Sequence, residues 1–346
     1  MPIDLTKHNE CGRICKQALE YAKKLIEYGE RKTIEISKKT TDFINGKMST
    51  FYKNSEKGLS FPVSVSLNNC VGNWIHSADP DFARYNNIEI GDIIKVHLGV
   101  YIDYDSAQIG DTYYLNVDNK LEPDKYTQVL DEIQKELYSL RITSAPPGTD
   151  EPLNDDDNPI TTNTDIKVLI ENVCTDNDCF PVNNTYSFQQ TLDEEDSEPK
   201  YIVTNYSSVY DDDDIKLNDN IQYELVEDEI YDIDISIIPD VIETTSDFHE
   251  YTEHYEAHIG NISGRVNLKL ANSRMLFNKI INKYNEHQFY LGEYDTVRDS
   301  IGKKEMISKG LLETHSIFFS NDKLPVYQRV FSVVVKSDRL KTKYKV

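Results

Sequence analysis

The residues best equipped for chemistry lie in one short run, FHEYTEHYEAH, from Phe248 to His258. His254 and His258 stand four apart, with Glu250 and Glu253 beside them. On a helix, or at alternate positions of a strand, the two imidazoles share a face. Imidazole with carboxylate is a ligand set for divalent cations. The interleaved tyrosines favour a plainer reading, an exposed edge strand that holds no metal. The five cysteines offer less. Cys11 and Cys15 sit one helical turn apart, and Cys174 and Cys179 flank the polar TDND, but no Cys-x-x-Cys pair supplies a zinc spacing. An odd cysteine count fits a reducing compartment. No glycine-rich phosphate loop, Ser/His/Asp set or nucleophilic cysteine motif is present.

The scaffold for any site is an alternation of helices and strands. Ile93 to Ile102 is a near-continuous apolar, β-branched run, as a buried strand requires, with Gly91-Asp92 as a turn before it. A second strand from about Ala107 to Leu115 pairs with it through a polar turn near Asp103 to Asp105. Phe61 to Asn69 is a further strand, with Asn68-Asn69 as its turn. Two amphipathic helices precede it. One covers about Thr6 to Tyr28, with Ile14, Ala18, Tyr21 and Leu25 on one face and Gly29 closing it; the other covers about Thr33 to Tyr52. Downstream, a helix over Asp124 to Leu140 faces Val129, Leu130, Ile133 and Leu137 inward. SAPPGTDEPLNDDDNP then breaks regular structure. A helix over Asp165 to Asn172, a strand within Gln222 to Ile238, a helix over Ser273 to Tyr284 and a last strand over Pro325 to Val335 follow.

Three motifs taken together are specific: FP-x-S-x-S-x-NNC (Phe61 to Cys70), GD-x-x-K-x-x-LGV (Gly91 to Val100) and the following Asp111-Thr112. They resemble the methionine aminopeptidases, and within that superfamily the type-2-like, catalytically inactive, proliferation-associated and ribosome-binding branch. The resemblance implies an α+β, pita-bread fold: a pseudo-symmetric, curved, mostly antiparallel sheet with helices outside and a former active-site cleft on its concave face. It implies one domain over 1–335, a helical insertion at about 272–322, and the Pro-rich break as the midpoint between two related halves. Residues 336–346 remain as a basic tail.

In the active enzymes of that family two divalent metals share a water, lowering its pKa and polarising the scissile carbonyl. Two aspartates eleven positions apart, a histidine and two glutamates hold them. The spacing survives here and the ligands do not. The aspartate positions fall on His97 and Gln108, the metal histidine on Tyr186, and the glutamates on Asp234 and Val330; the substrate-side histidine falls on Asn73. No metal or other cofactor is expected. His97 then reads as a satisfied buried histidine, and Asp234 as a relic or as its hydrogen-bonded partner. A rearranged metal site built from His97 and Asp234, with His254 or His258 as a further ligand, is the competing reading, and with it a divergent metallo-aminopeptidase. Trp74, the single tryptophan, follows Asn73 and is a candidate pocket plug or binding anchor.

Charge bears on partners. The 346 residues carry a net −23, with acidic runs at Asp155–Asp157, Asp193–Asp196 and Asp211–Asp214. Such a body repels nucleic-acid phosphates and suits basic proteins such as histones. The last eleven residues reverse the sign: Lys336, Arg339, Lys341, Lys343 and Lys345 stand against one acid, a candidate RNA contact. Apolar runs are too short to span a membrane, and the first residues lack the apolar core of a secretory signal. The expectation is a cytoplasmic or nuclear binding protein. The resemblance implies ribosome, ribosomal RNA or nascent-chain association, with a histone-chaperone-like role as the alternative.

Overall fold

A computed structural model of the chain describes residues 5–140, 162–182, 185–190, 200–203, 223–240, 251–264, 267–285, 287–320, 323–336 and 339–342. Helix α1 (Leu5–Glu27) turns Cys11, Ile14, Cys15, Ala18, Leu19, Ala22 and Ile26 inward, the stripe expected of a one-sided helix. With α2 (Thr33–Met48) it covers β1 (Lys57–Leu67), β2 (Ile93–Ile102) and β3 (Asp105–Leu115). The β2–β3 hairpin runs in unbroken register from Ile93↔Tyr114 to Ile102↔Asp105. Asp103 takes a φ of 56° at its turn. Helix α2 stops at Met48, short of the expected Tyr52, because the Ser49 and Thr50 hydroxyls bond back to the carbonyls of Gly46 and Lys47.

After the two-residue β4 (Leu121–Glu122), α3 (Lys125–Ser139) begins on a reciprocal cap between Asp124 and Thr127. Helix α4 (Asn163–Asp176) is longer than the 165–172 expected, since Thr162 and Asp165 form a second such cap. These two helices cover the other half of the sheet, whose strands are β5 (Cys179–Pro181), β6 (Tyr186–Gln189), β7 (Tyr201–Val203) and β8 (Ile230–Pro239).

Strand β9 (Tyr251–Ile262), α5 (Ala271–Tyr284), β10 (Phe289–Tyr290), α6 (Val297–Ser308) and β11 (Leu312–Ser320) form a unit with its own core, around Leu276, Ile280, Phe289 and Met306. The segment read as an insertion, about 272–322, thus packs together with β9, which precedes it. The expected edge strand at 248–258 is corrected: β9 is the middle strand, between β10 and β11, and Ile259 and Ile262 are buried. Its partners arrive 29 to 69 residues later in the chain, so local pattern could not reveal them.

The chain ends with β12 (Tyr327–Lys336) and β13 (Arg339–Thr342). Residues 339–342 of the basic tail therefore add a strand, from Val333↔Thr342 to Lys336↔Arg339. Among the described residues the main sheet runs β1-β2-β3-β12-β8-β6-β7, all pairs antiparallel, with β12 in the middle joining the halves. Two helices over each half give the pseudo-symmetry. No described helix is long and apolar enough to cross a membrane.

Strands β1, β2 and β3 approach closely enough to need glycine. A Cβ on Gly99 would overlap Ser60 Oγ and lie 3.0 Å from Gln108 Cγ and Phe61 Cβ. Gly99→Ala should lower unfolding free energy by about 2 kcal/mol or more, read from urea denaturation.

Candidate functional site

Alternation sorts the side chains of four central strands onto two faces. On β2, Ile94, Val96, Leu98 and Val100 join the core under α1 and α2, so Lys95, His97 and Gly99 face the other way. On β8, Tyr231, Ile233, Ile235 and Ile237 face α3 and α4, leaving Asp232, Asp234 and Ser236 opposite. On β12, Tyr327, Phe331 and Val333 lie in that same core, and Gln328, Val330 and Ser332 lie opposite. Register aligns them. His97 pairs with Gly110, Gly110 with Val330 and Val330 with Asp234, one row across four strands.

A buried hydrogen-bond network occupies this face. The Gln108 amide nitrogen donates to Asp232 Oδ2 at 3.2 Å, and the Gln190 amide donates to Oδ1 at 2.8 Å. The Ser332 hydroxyl donates to the same carboxylate and accepts the Gln108 backbone N–H at 3.0 Å. Gln108 therefore offers its oxygen to His97, whose Nε2 lies 2.9 Å away. This assigns the proton to Nε2. Nδ1 carries a lone pair with no partner. The Phe61 ring stacks on the imidazole, centroids 3.9 Å apart. Asp234 is held separately: the Gln328 amide nitrogen lies 3.0 Å from each of its oxygens. A direct His97–Asp234 pair, one of the two readings offered for Asp234, is thus corrected. Gln108 stands where a partner was sought.

Burial sets the charge states. It pushes Asp232 up to about 6 against the pull of its three donors. It pushes Asp234 up to about 7, helped by the neighbouring Asp232 and opposed by Gln328. His97 is driven down to about 4, so its ring is neutral at physiological pH. Lys95, on the same face, is 1% exposed, and burial lowers it to about 8. Its ammonium donates to the carbonyls of Asn68 and Val326, each at 2.8 Å.

This donor set does not fit a pair of divalent cations. Val330 is an alkyl group, 2% exposed, and Gln108 is a neutral amide engaged at both ends. His97 presents an N–H, not a lone pair, to Gln108. Tyr186 pairs through its backbone with Val203 on β7. Asn73 adopts a left-handed φ of 65°, which asparagine tolerates.

The rearranged site is also corrected. Among the described residues no three His, Cys, Asp or Glu side chains come together to hold a metal, so His97, Asp234 and His258 do not converge. His258 is buried, accepts the Ile75 backbone N–H on Nδ1 at 3.0 Å, and meets Trp74 edge-on at 4.6 Å. The backbone of His254 pairs with Ile317, and its side chain lies outside the described residues.

The binding candidates fare differently. Trp74 is 0% exposed, packed among Tyr85, His258 and Phe319, so it is a core residue and not a surface anchor. Lys336 is paired with Asp228. Arg339 and Lys341 lie on β13; Lys343 and Lys345 lie outside the described residues. Sequence reasoning assigned no role to Asp232, Gln190, Gln328 and Ser332. For three of them the signal was parity: Asp232 shares a face with Asp234, and Gln328 and Ser332 flank Val330 at two-residue steps. Gln190 gave no signal.

No model of a known protein family matches the chain. Two curated proteins are similar over nearly its whole length. ErbB-3 binding protein 1 of Arabidopsis thaliana is 26% identical, covering 98% of this chain and 80% of that protein. Proliferation-associated protein A of Dictyostelium discoideum is 25% identical over 96% and 80%. Among solved structures, a thermophilic Arx1 superposes with a TM-score of 0.76 at 18% identity, covering 98% and 90% of the two chains. Methionine aminopeptidase from Rickettsia prowazekii superposes with 0.53 at 12% identity, covering 99% of each. These likenesses establish the pita-bread fold.

Two outcomes follow from the network. Asp232→Ala strands three buried donors and should cost about 2–4 kcal/mol of stability in urea unfolding. Asp234 is the pH reporter. Its native pKa is raised, so its contribution is complete below the unfolded value of about 4 and lost as pH rises through about 7. Asp234→Asn, which cannot ionise, should gain on the wild type between pH 5 and pH 8, as the urea midpoint will show.

Proposed function

We propose that this chain, which belongs to the methionine aminopeptidase-like proteins of the pita-bread fold, acts by binding and not by catalysis, at the ribosome or on RNA and nascent chains beside it. The observation that carries the non-catalytic reading is Val330. It sits at the position of the family's last metal glutamate, in register with Gly110 and Asp234. Its methyl group lies 3.0 Å from where a Gly110 Cβ would be, so the site is filled with hydrocarbon where a carboxylate would be needed. Glutamines and a serine satisfy the carboxylates that metals would otherwise neutralise.

Charge distribution supports a polyanionic partner. The chain is strongly acidic, yet between 265 and 309 nine lysines and arginines stand against five acids. The C-terminal eleven residues add five more basic side chains against one acid. Two basic segments on an acidic body suit phosphate contact at chosen places while the rest of the surface is repelled. One relative is named for binding, and the resemblance read from the motifs points to the ribosome.

Two measurements test this. After incubation with cobalt, manganese and zinc, elemental analysis should find less than about 0.1 equivalent of metal, and peptide substrates should not be turned over. One or two tight equivalents, with turnover abolished by His97→Ala, would overturn the non-catalytic reading. In ribosome co-sedimentation, the triple variant Lys341→Glu/Lys343→Glu/Lys345→Glu should bind about tenfold more weakly at physiological salt. Salt-sensitive histone binding without co-sedimentation would favour the acidic body as the binding surface.

A further inference from the structure

One helix face in the β9–β11 unit has no partner among the described residues. Helix α6 buries Asp299, Gly302 and Met306, and a Cβ on Gly302 would meet α5 at Leu276 and the Asn272 carbonyl. The opposite face exposes three aliphatic side chains: Val297 at 79%, Ile301 at 43% and Ile307 at 47%. Three exposed aliphatic side chains on one short helix leave hydrocarbon available for a contact. Beside it runs a shallow groove of about 320 Å³ between α6 and the three-stranded sheet. Ala257, Leu291 and Ile307 give it an apolar lining, Thr314 closes one side, and Lys303 and Lys304 stand over it. Among the described residues no carboxylate lines the groove and neither lysine forms an ion pair. In a chain of net −23, two uncompensated cations over an apolar trough are selective for an anion with an apolar part.

We propose that this groove docks an acidic peptide segment of a partner protein. An aliphatic or aromatic side chain of the peptide seats against Ala257, Leu291 and Ile307, and flanking carboxylates meet Lys303 and Lys304. Among the described residues no aromatic ring lines the groove to stack a base, which favours peptide over single-stranded RNA. The exposed Val297 and Ile301 extend the contact along α6, as an amphipathic segment laid on a helix requires. The proposal stands on this groove alone and does not depend on the ribosome reading.

The test is selection of random twelve-residue peptides displayed on phage against the full chain, followed by anisotropy with the enriched peptides. Enriched sequences should carry Asp or Glu on both sides of Leu, Ile or Phe. Lys303→Glu/Lys304→Glu should weaken them about tenfold or more, and Ile307→Ser about fivefold. Ile307→Ser changes no charge, so it should leave ribosome co-sedimentation intact and thereby separates the groove from any electrostatic RNA contact. The proposal fails if enriched peptides show no acidic bias, if Ile307→Ser binds them as tightly as the wild type, or if a single-stranded RNA twenty-mer binds more tightly and displaces them.

Discussion

Side-chain alternation along β2, β3, β12 and β8 is the constraint on which both faces of this molecule depend. The same register that puts Ile233, Ile235, Phe331 and Val333 under α3 and α4 puts Asp232, Asp234, Val330 and Ser332 on the face opposite. A slip of one residue in β8 would bury two aspartates among isoleucines and turn the isoleucines to the cleft. Core and cleft therefore cannot be tuned independently. Gly110 makes the coupling visible: it is the one position in its row without a side chain, and Val330 fills the space.

Within that frame the cleft keeps carboxylates without the charges that would neutralise them. A buried ionised aspartate is costly unless its lone pairs are met. Asp232 meets the cost with three neutral donors drawn from two strands and a loop: Gln108, Gln190 and Ser332. The His97 ring, neutral and stacked on Phe61, closes the network at its other end. Amides can do this because they offer a donor and an acceptor at once, so polarity passes from imidazole to carboxylate without a formal cation. The cleft retains a polar interior, and its organisation is that of a hydrogen-bonded core.

How much of this was legible follows from distance along the chain. The hairpin from Ile93 to Leu115 was readable because its apolar run, its turn and its motif spacing agree locally. The positions of His97, Gln108 and Val330 could be placed from those motifs. Asp232 offered only its parity with Asp234, because its role lies in Gln190, 42 residues earlier, and Ser332, 100 later. Trp74 was misjudged for a related reason. The Asn73-Trp74-Ile75 segment looks like a loop in sequence, but Phe319 and His258 from the distant β9–β11 unit close over it. Strand β9 was given an edge because neither neighbour is near in sequence.

The placement of β12 also has a consequence for how the chain is made. The middle strand of the sheet leaves the ribosome after both strands it joins, β3 and β8, and the contact between Gln108 and Ser332 spans 224 positions. At roughly 5–20 residues per second, about 10–45 s separate the two during synthesis. Throughout that interval β3 presents an unpaired edge, and β8 adds a second once it has been made, about 90 residues before β12. Open edges of this kind recruit other chains. The nascent protein must be shielded at its own centre until β12 slots in, so incomplete products that end before β12 carry a built-in tendency to self-associate.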